Sequence, residues 1–247
     1  KYLLESLKIP HVKTYIFYNK EEAINWANSS TFPKVFKLRS GAGSENVKKI
    51  ANKYQAISLI NKAFSSGFEQ YNRAEGLKER IKKLIYGGGS IKSVLGGLYY
   101  YFFSTNFARM SFREKCYFYV QDFIPNNNFD IRVIVVCDKA FAIKRYVRKN
   151  DFRASGSGYI DYSRHSIPEN IIKTAFTMND KLDSQCTAFD FIYENNKPLV
   201  VEISFGFNPP FYNNCIGYWE KSLKFHSGKF NPYAWMVDNL LDKINEK

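Results

Sequence analysis

The sequence predicts an α+β fold in two lobes with a helical insertion. Three observations lead there. Strand-like and helix-like segments mix without a regular βαβ alternation. Two β-rich runs each fold back at a turn signal, which predicts antiparallel hairpins. The chain has 247 residues, 45% hydrophobic and 17% aromatic, which excludes a disordered polymer. A chain of that size buries roughly 70–75% of its unfolded surface and needs no disulfides to hold a core.

The elements follow in order. "KYLLESLKI" (1–9) reads as the end of a helix closed by Pro10. "TYIFY" (14–18) has the β-branched and aromatic content of a strand. "NKEEAINWANSS" (19–30) offers Asn19 as an N-cap, with Glu21 and Glu22 in the first turn of a helix. "KVFKLRS" (34–40) is strand-like and ends at a glycine turn, and "NKYQAISLINKAF" (52–64) has helical periodicity. Residues 66–111 hold a basic amphipathic helix, a glycine cluster and a very aromatic run. They read as a helical insertion, serving either as a lid or packing element or as a surface for a membrane or polyanion.

Strands dominate next. "YFYVQDFI" (117–124) precedes a hairpin over 130–148 that turns at "CDKA". "IPENIIKTAFTMNDKLD" (167–183) is helical, with Pro168 in its first turn. A second hairpin over 186–205 turns at "ENNK", and residues 231–247 form a closing helix. The aromatic, turn-rich stretch 208–230 reads as a cap on the second lobe or as a pocket wall.

Charge and cysteines narrow the function. The net charge of +13 attracts nucleic acid, anionic lipid, acidic glycan or nucleotide phosphate without choosing among them. Zinc-finger spacing, the RRM signature and basic-region heptads are all missing, so no specific nucleic-acid partner is expected. Cys116, Cys137, Cys186 and Cys215 are scattered, which fits neither zinc nor a disulfide framework and suggests a reducing, cytoplasmic setting. The chain starts at Lys1, as a piece of a longer protein would.

Three stretches could carry chemistry. In "VFKLRSGAGSENV", Lys37 sits in an apolar strand, where a lysine is costly to bury unless it meets an anion. Glycines beside it would let backbone N–H groups approach a ligand. In "NDFRASGSGYIDY", Arg153 opens a loop of small residues, and Arg145 follows the strand "FAIK". Arginine offers a planar fork for phosphate oxygens. In "FDFIYENNKPLVVEIS", Asp190 and Glu202 stand on paired strands inside apolar runs. Two inward carboxylates repel unless a cation such as Mg²⁺ lies between them. Each stretch has a plain structural reading too: a hairpin turn, a surface loop, and two solvent-facing acids.

Taken in order, "FKLRSGAGSENV", "VQDFIPNNNFDIRVIVV", "AIKRYVRKNDFRASGSG" and "FDFIYENNKPLVVEIS" resemble the ATP-grasp enzymes, nearest the RimK-like branch of carboxylate–amine ligases. A closer similarity, through "NDFRASGSG" and "CIGYWEKSLKFHSGKFNP", is to ATP-grasp proteins of polysaccharide-biosynthesis gene neighbourhoods. The resemblance implies two lobes holding the nucleotide between antiparallel sheets. It implies a remnant of an N-terminal region over 1–30, a first lobe over 31–120 with the insertion, and a second lobe over 121–247. Lys37 would contact the ATP phosphates, under a loop of Ser40, Gly41, Ala42, Gly43 and Ser44. Gln121, Asp122, Phe123 and Ile124 would read the adenine, and Asp130 the ribose. Arg145 and Arg153 would be catalytic, holding the γ-phosphate and the developing acyl phosphate beside Ala154 and Ser155. Asp190, Glu202 and Ser204 would ligate Mg²⁺, or Mn²⁺ in its place. Ser204 stands where the family has Asn, a weaker ligand. The family's first lysine would precede the "LLESL" helix, upstream of this chain.

The activity so implied is an ATP- and Mg-dependent ligase. It would activate a small or glycan-linked carboxylate as an acyl phosphate and join it to an amine, for example adding an amino acid to a cell-surface polysaccharide precursor. The rivals are a degenerate ATP-grasp module binding an acidic glycan or a membrane surface, and a kinase releasing a phosphorylated product. A peripheral membrane contact through 66–111 accompanies the first rival. The oligomeric state stays open.

Overall fold

The computed structural model describes residues 1–39, 46–70, 73–86, 89–103 and 112–245. The chain divides into two compact units: Lys13–Phe123, and Lys1–Val12 together with Ile124–Lys247. Helix α1 (Tyr2–Ser6) opens the chain, and its Leu4 joins Ile9 in the core of the second unit.

The unit Lys13–Phe123 is built on a four-stranded antiparallel sheet. Its elements are β1 (Thr14–Phe17), α2 (Lys20–Ser29), β2 (Lys34–Lys37), β3 (Lys48–Ile50), α3 (Lys53–Ala63), α4 (Arg73–Tyr86), α5 (Ile91–Phe102) and β4 (Phe118–Asp122). The strand order is β1-β4-β2-β3. Asn19 caps α2 as its sequence position predicts: Oδ1 accepts from the Glu21 and Glu22 amides at 2.8 and 3.1 Å. Asn52 caps α3 through the Gln55 amide at 3.1 Å. Ala23 and Ala27 of α2 and Ala56, Ile60 and Ala63 of α3 are fully buried with Phe36 and Phe118 of the sheet. Small helix residues against large sheet residues let the layers interdigitate. The stretch read as a helical insertion holds two helices, α4 and α5: the basic amphipathic helix is α4, and the aromatic run, for which the sequence reading named no helix, is α5.

The second unit carries β5 (Phe129–Val136), β6 (Lys139–Tyr146), β7 (Ile160–Asp161), α6 (Glu169–Leu182), β8 (Cys186–Glu194), β9 (Lys197–Ser204), β10 (Gly217–Glu220), β11 (Phe225–Ser227) and α7 (Pro232–Asn245). Its antiparallel sheet runs β11-β10-β6-β5-β8-β9, with β7 added on β6. The β8–β9 turn falls at Asn195–Asn196, both with positive φ, as a tight two-residue hairpin turn requires. The sequence did not reveal the β10–β11 hairpin, which lies in the stretch read as a turn-rich cap.

Strand alternation sorts this sheet into two faces. One face, with Ile131, Val133, Val135, Phe189 and Phe191, packs against Ile171, Ile172, Ala175 and Phe176 of α6. The opposite face is apolar at one end, where Ile134, Val136, Phe141, Ile143 and Ala188 meet Tyr212, Phe230 and Trp235. At the other end the same face turns charged, and there the candidate site lies.

Candidate nucleotide and metal site

On β5, Asp130 and Arg132 point to one face because they are two residues apart. Register sets their neighbours: Asp130 lies opposite Arg145 of β6, and Arg132 opposite Asp190 of β8. Asp190 in turn lies opposite Glu202 of β9. That last pairing depends on a β-bulge. Phe191 pairs with Val200 while Asp190 pairs with Glu202, so Val201 is the extra residue. A regular ladder from this turn would set Asp190 opposite Val201 and send Glu202 to the other face. The bulge therefore brings the two carboxylates to the same side.

The cluster is tightly bonded and buried. Arg145 donates from Nε and Nη2 to Asp130 at 2.6 and 2.7 Å, a two-pronged bond. Its Nη2 also lies 3.0 Å from Asp190 Oδ2. Arg132 donates from Nε and Nη2 to the two oxygens of Asp190 at 2.5 and 2.6 Å. Two carboxylates and two guanidiniums balance in charge, which offsets the desolvation that burial imposes on each. The carboxyl groups are not equivalent. Burial alone would raise Asp190, but Arg145 and Arg132 together hold it at about 2. Asp130 is pushed up to about 6 by burial and by the neighbouring Asp190 charge, against the pull of Arg145. Arg145 and Arg132 are raised above their ordinary values, the carboxylates outweighing burial.

Arg132 is the residue that sequence reasoning missed. Its signal was available: a cation two residues after Asp130 in an apolar strand must share that acid's face.

The remaining predicted residues are placed as follows. Glu202 is solvent-exposed on the face it shares with Asp190. The Ser204 hydroxyl donates to the Gly206 carbonyl at 3.1 Å and accepts from the Gly206 amide at 3.4 Å, so it is engaged in its own loop. Arg153 donates from Nε and Nη2 to Asp151 at 3.0 and 2.8 Å, and Ala154 is buried while Ser155 is half-buried. The Ser/Gly stretch closes on itself: the Ser157 amide bonds to the Ala154 carbonyl, and Arg148 donates to the Gly156 carbonyl at 2.5 Å. Gly156 and Gly158 have positive φ there. In the unit Lys13–Phe123, Lys37 is half-buried at the end of β2, opposite Tyr119 of β4, on the sheet face away from α2 and α3. Gln121 shares that face, and its Nε2 donates to Thr14 at 3.1 Å. Asp122 accepts from the buried Lys34 at 2.7 Å, so an acid compensates that lysine's burial. The Phe123 ring lies 4.0 Å under the Lys49 ammonium, and Ile124 starts the second unit. Ser40, Gly41, Ala42, Gly43 and Ser44 lie outside the described residues.

Two other features are separate from the cluster. A cavity of about 580 Å³ is lined by Ile124, Phe129, Ile131, Lys144 and Tyr193, on the α6 face of the sheet and so away from Asp190. Cys215 is buried, and burial pushes its thiol to about 12, which suits a packing role and not a nucleophile.

Asp190 and Glu202 are hard oxygen donors of the type a divalent cation takes, and the register sets them opposite each other on adjacent strands, with both Asp190 oxygens bonded to arginines. Among the described residues no three or more acidic, histidine or cysteine side chains group to hold a metal alone. Magnesium with few protein ligands is completed by phosphate and water.

Comparison with known proteins bears on the fold. Residues 89–208 match the family model described as the RimK-like ATP-grasp domain. No curated protein sequence matches the chain. The solved structure of the ATP-grasp ligase PsnB with its minimal precursor is similar at TM-score 0.53 and 11% identity, covering 97% of this chain and 58% of that one. PsnB with a phosphomimetic precursor variant, Mg and ADP is similar at TM-score 0.49 and 12% identity, covering 85% and 50%. The D-alanine–D-alanine ligase of Bacillus anthracis is similar at TM-score 0.47 and 15% identity, covering 83% and 54%. The chain thus spans between 50 and 58% of these proteins' own lengths. It has the ATP-grasp fold, and its residues 89–208 match the RimK-like ATP-grasp family model.

Proposed function

We propose that the chain is the nucleotide-binding part of an ATP- and Mg-dependent ligase that joins a carboxylate to an amine. The observation that supports this best is the pairing of Asp190 and Glu202 on one face, beside the guanidiniums of Arg132 and Arg145.

A carboxylate is a poor electrophile because its two oxygens share a negative charge, and phosphorylation gives it a leaving group. Bound Mg²⁺ would supply charge neutralisation to the triphosphate. The chain's own part is positioning. Arg132 fixes the rotamer of Asp190 with two bonds, so that carboxylate is preorganised and ionised at neutral pH. Arg145 sets Asp130 at the edge of the same face, where the ribose hydroxyls would be read. Arg153 is assigned to the phosphates, once it exchanges Asp151 for a phosphoryl oxygen. Such a site accelerates phosphoryl transfer by orientation and electrostatics.

The test is calorimetric binding of Mg-ATP to the full chain, with ADP release measured against carboxylates and amines. Glu202→Gln is expected to weaken Mg-ATP binding at least about tenfold, a typical cost of a lost metal contact. No binding at millimolar Mg-ATP would sink the proposal. One observation favours a second reading, a binding module without turnover: the Ser204 hydroxyl is taken up in its own loop. That reading expects Mg-ATP binding but no ADP release with any acceptor pair.

A further inference from the structure

Helix α5 exposes an apolar stripe where the fold supplies no cover among the described residues. Ile91, Leu95, Leu98 and Phe102 are 67, 61, 45 and 68% exposed. At 100° per residue they fall within an arc of about 60°. This i, i+4, i+7, i+11 spacing is the pattern of a face meant to be buried. The helix is anchored from another side. Gly97 meets α4 so closely that a Cβ there would stand 2.6 Å from Arg80 Cδ, and Arg80 Nη1 donates to the Ser93 carbonyl at 3.0 Å. Packing against α4 therefore leaves the stripe pointing outward. Exposed Tyr99 flanks it, and Ile85 of α4 is exposed too.

Charge says what covers it. Residues 73–103 contain six Lys or Arg against two Glu, and α5 has no acidic residue. Lys78 and Lys92 are exposed. A second copy would bring the same positive hairpin against this one, on a chain whose net charge is +13, so self-association is opposed. An anionic lipid surface matches all three features: acyl chains for the stripe, the headgroup level for Tyr99, and anionic headgroups for the lysines. Among the described residues no helix is long and apolar enough to cross a membrane, so the helix would lie on the surface. We propose that the α4–α5 hairpin docks the protein onto an anionic bilayer, with the α5 stripe entering the boundary between headgroups and acyl chains. This is independent of the ligase reading.

Flotation of the full chain with vesicles tests it. Phosphatidylcholine vesicles carrying about 30% phosphatidylglycerol are expected to bind at least about tenfold more protein than pure phosphatidylcholine, with the gain lost in high salt. Leu95→Asp with Phe102→Asp, both at exposed positions, should remove the binding at least about tenfold while melting temperature and Mg-ATP binding stay unchanged. Lys78→Glu with Lys92→Glu should reduce only the anionic-vesicle component. Three results overturn the proposal: wild-type protein left unbound by both vesicles, binding that survives the double aspartate change, or a wild-type dimer that this change converts to monomer, since a second copy would then cover the stripe. Acidic-protein capture without vesicle binding counts against it equally.

Discussion

Replacing Arg132 by Met removes both bonds that its guanidinium donates to Asp190, at 2.5 and 2.6 Å. Asp190 stays buried, and its remaining cation is Arg145, 3.0 Å away and already committed to Asp130. Removing one partner of a buried ion pair costs roughly 3–5 kcal/mol, and the surviving Arg145 contact reduces the expected loss to about 2–4 kcal/mol. At roughly 2–4 °C per kcal/mol for a chain of this size, melting drops by roughly 5–15 °C. The double change Arg132→Met with Asp190→Leu makes the comparison sharp. Apolar replacement of both partners is often neutral, so most of the loss should return. Scanning calorimetry at pH 7 on the wild type and both variants reads this directly. A single variant within about 0.5 kcal/mol of wild type, or a double variant worse than the single, would refute the reasoning.

Three further outcomes are expected. Asp190 sits at about 2 in the folded chain against an ordinary 3.8, so its contribution of about 2 kcal/mol holds above pH 3.8 and is lost as pH falls through 2. Asp130, raised to about 6, has the opposite sign: folding gains as pH falls from 6 towards 3.8. Urea midpoints from pH 7 to 2 should show that gain in the wild type and not in Asp130→Asn, and a constant difference between the two would defeat the assignment. Gly217→Ala places a Cβ against the His226 carbonyl oxygen and 2.6 Å from Phe225 Cζ, so the β10–β11 hairpin must open. A loss of about 2–3 kcal/mol with a shifted Trp219 emission is expected, since overpacking against backbone has no soft neighbour to yield; unchanged emission counts against it.

What the sequence made legible was local. Asn19 as a cap, the Asn195–Asn196 turn and the period of α3 are set by residues within a few positions, and the structure has all three. The β10–β11 hairpin escaped because its strands are only four and three residues long, too short for alternation to emerge from an aromatic stretch. The site shows the limit most clearly. Counting from the hairpin turn would set Asp190 and Glu202 on opposite faces, and the one-residue bulge at Val201 reverses that. A bulge is a tertiary compromise that no residue type announces. The same holds for ion pairing. Lys34, in an apolar strand, finds Asp122, 88 positions away, and only the sheet register makes that partnership. Charge in an apolar strand therefore tells where a site is to be sought, while register decides which charges meet. Arg132 follows from the same logic: its strand position was readable, and its role appeared only when β8 was laid beside β5.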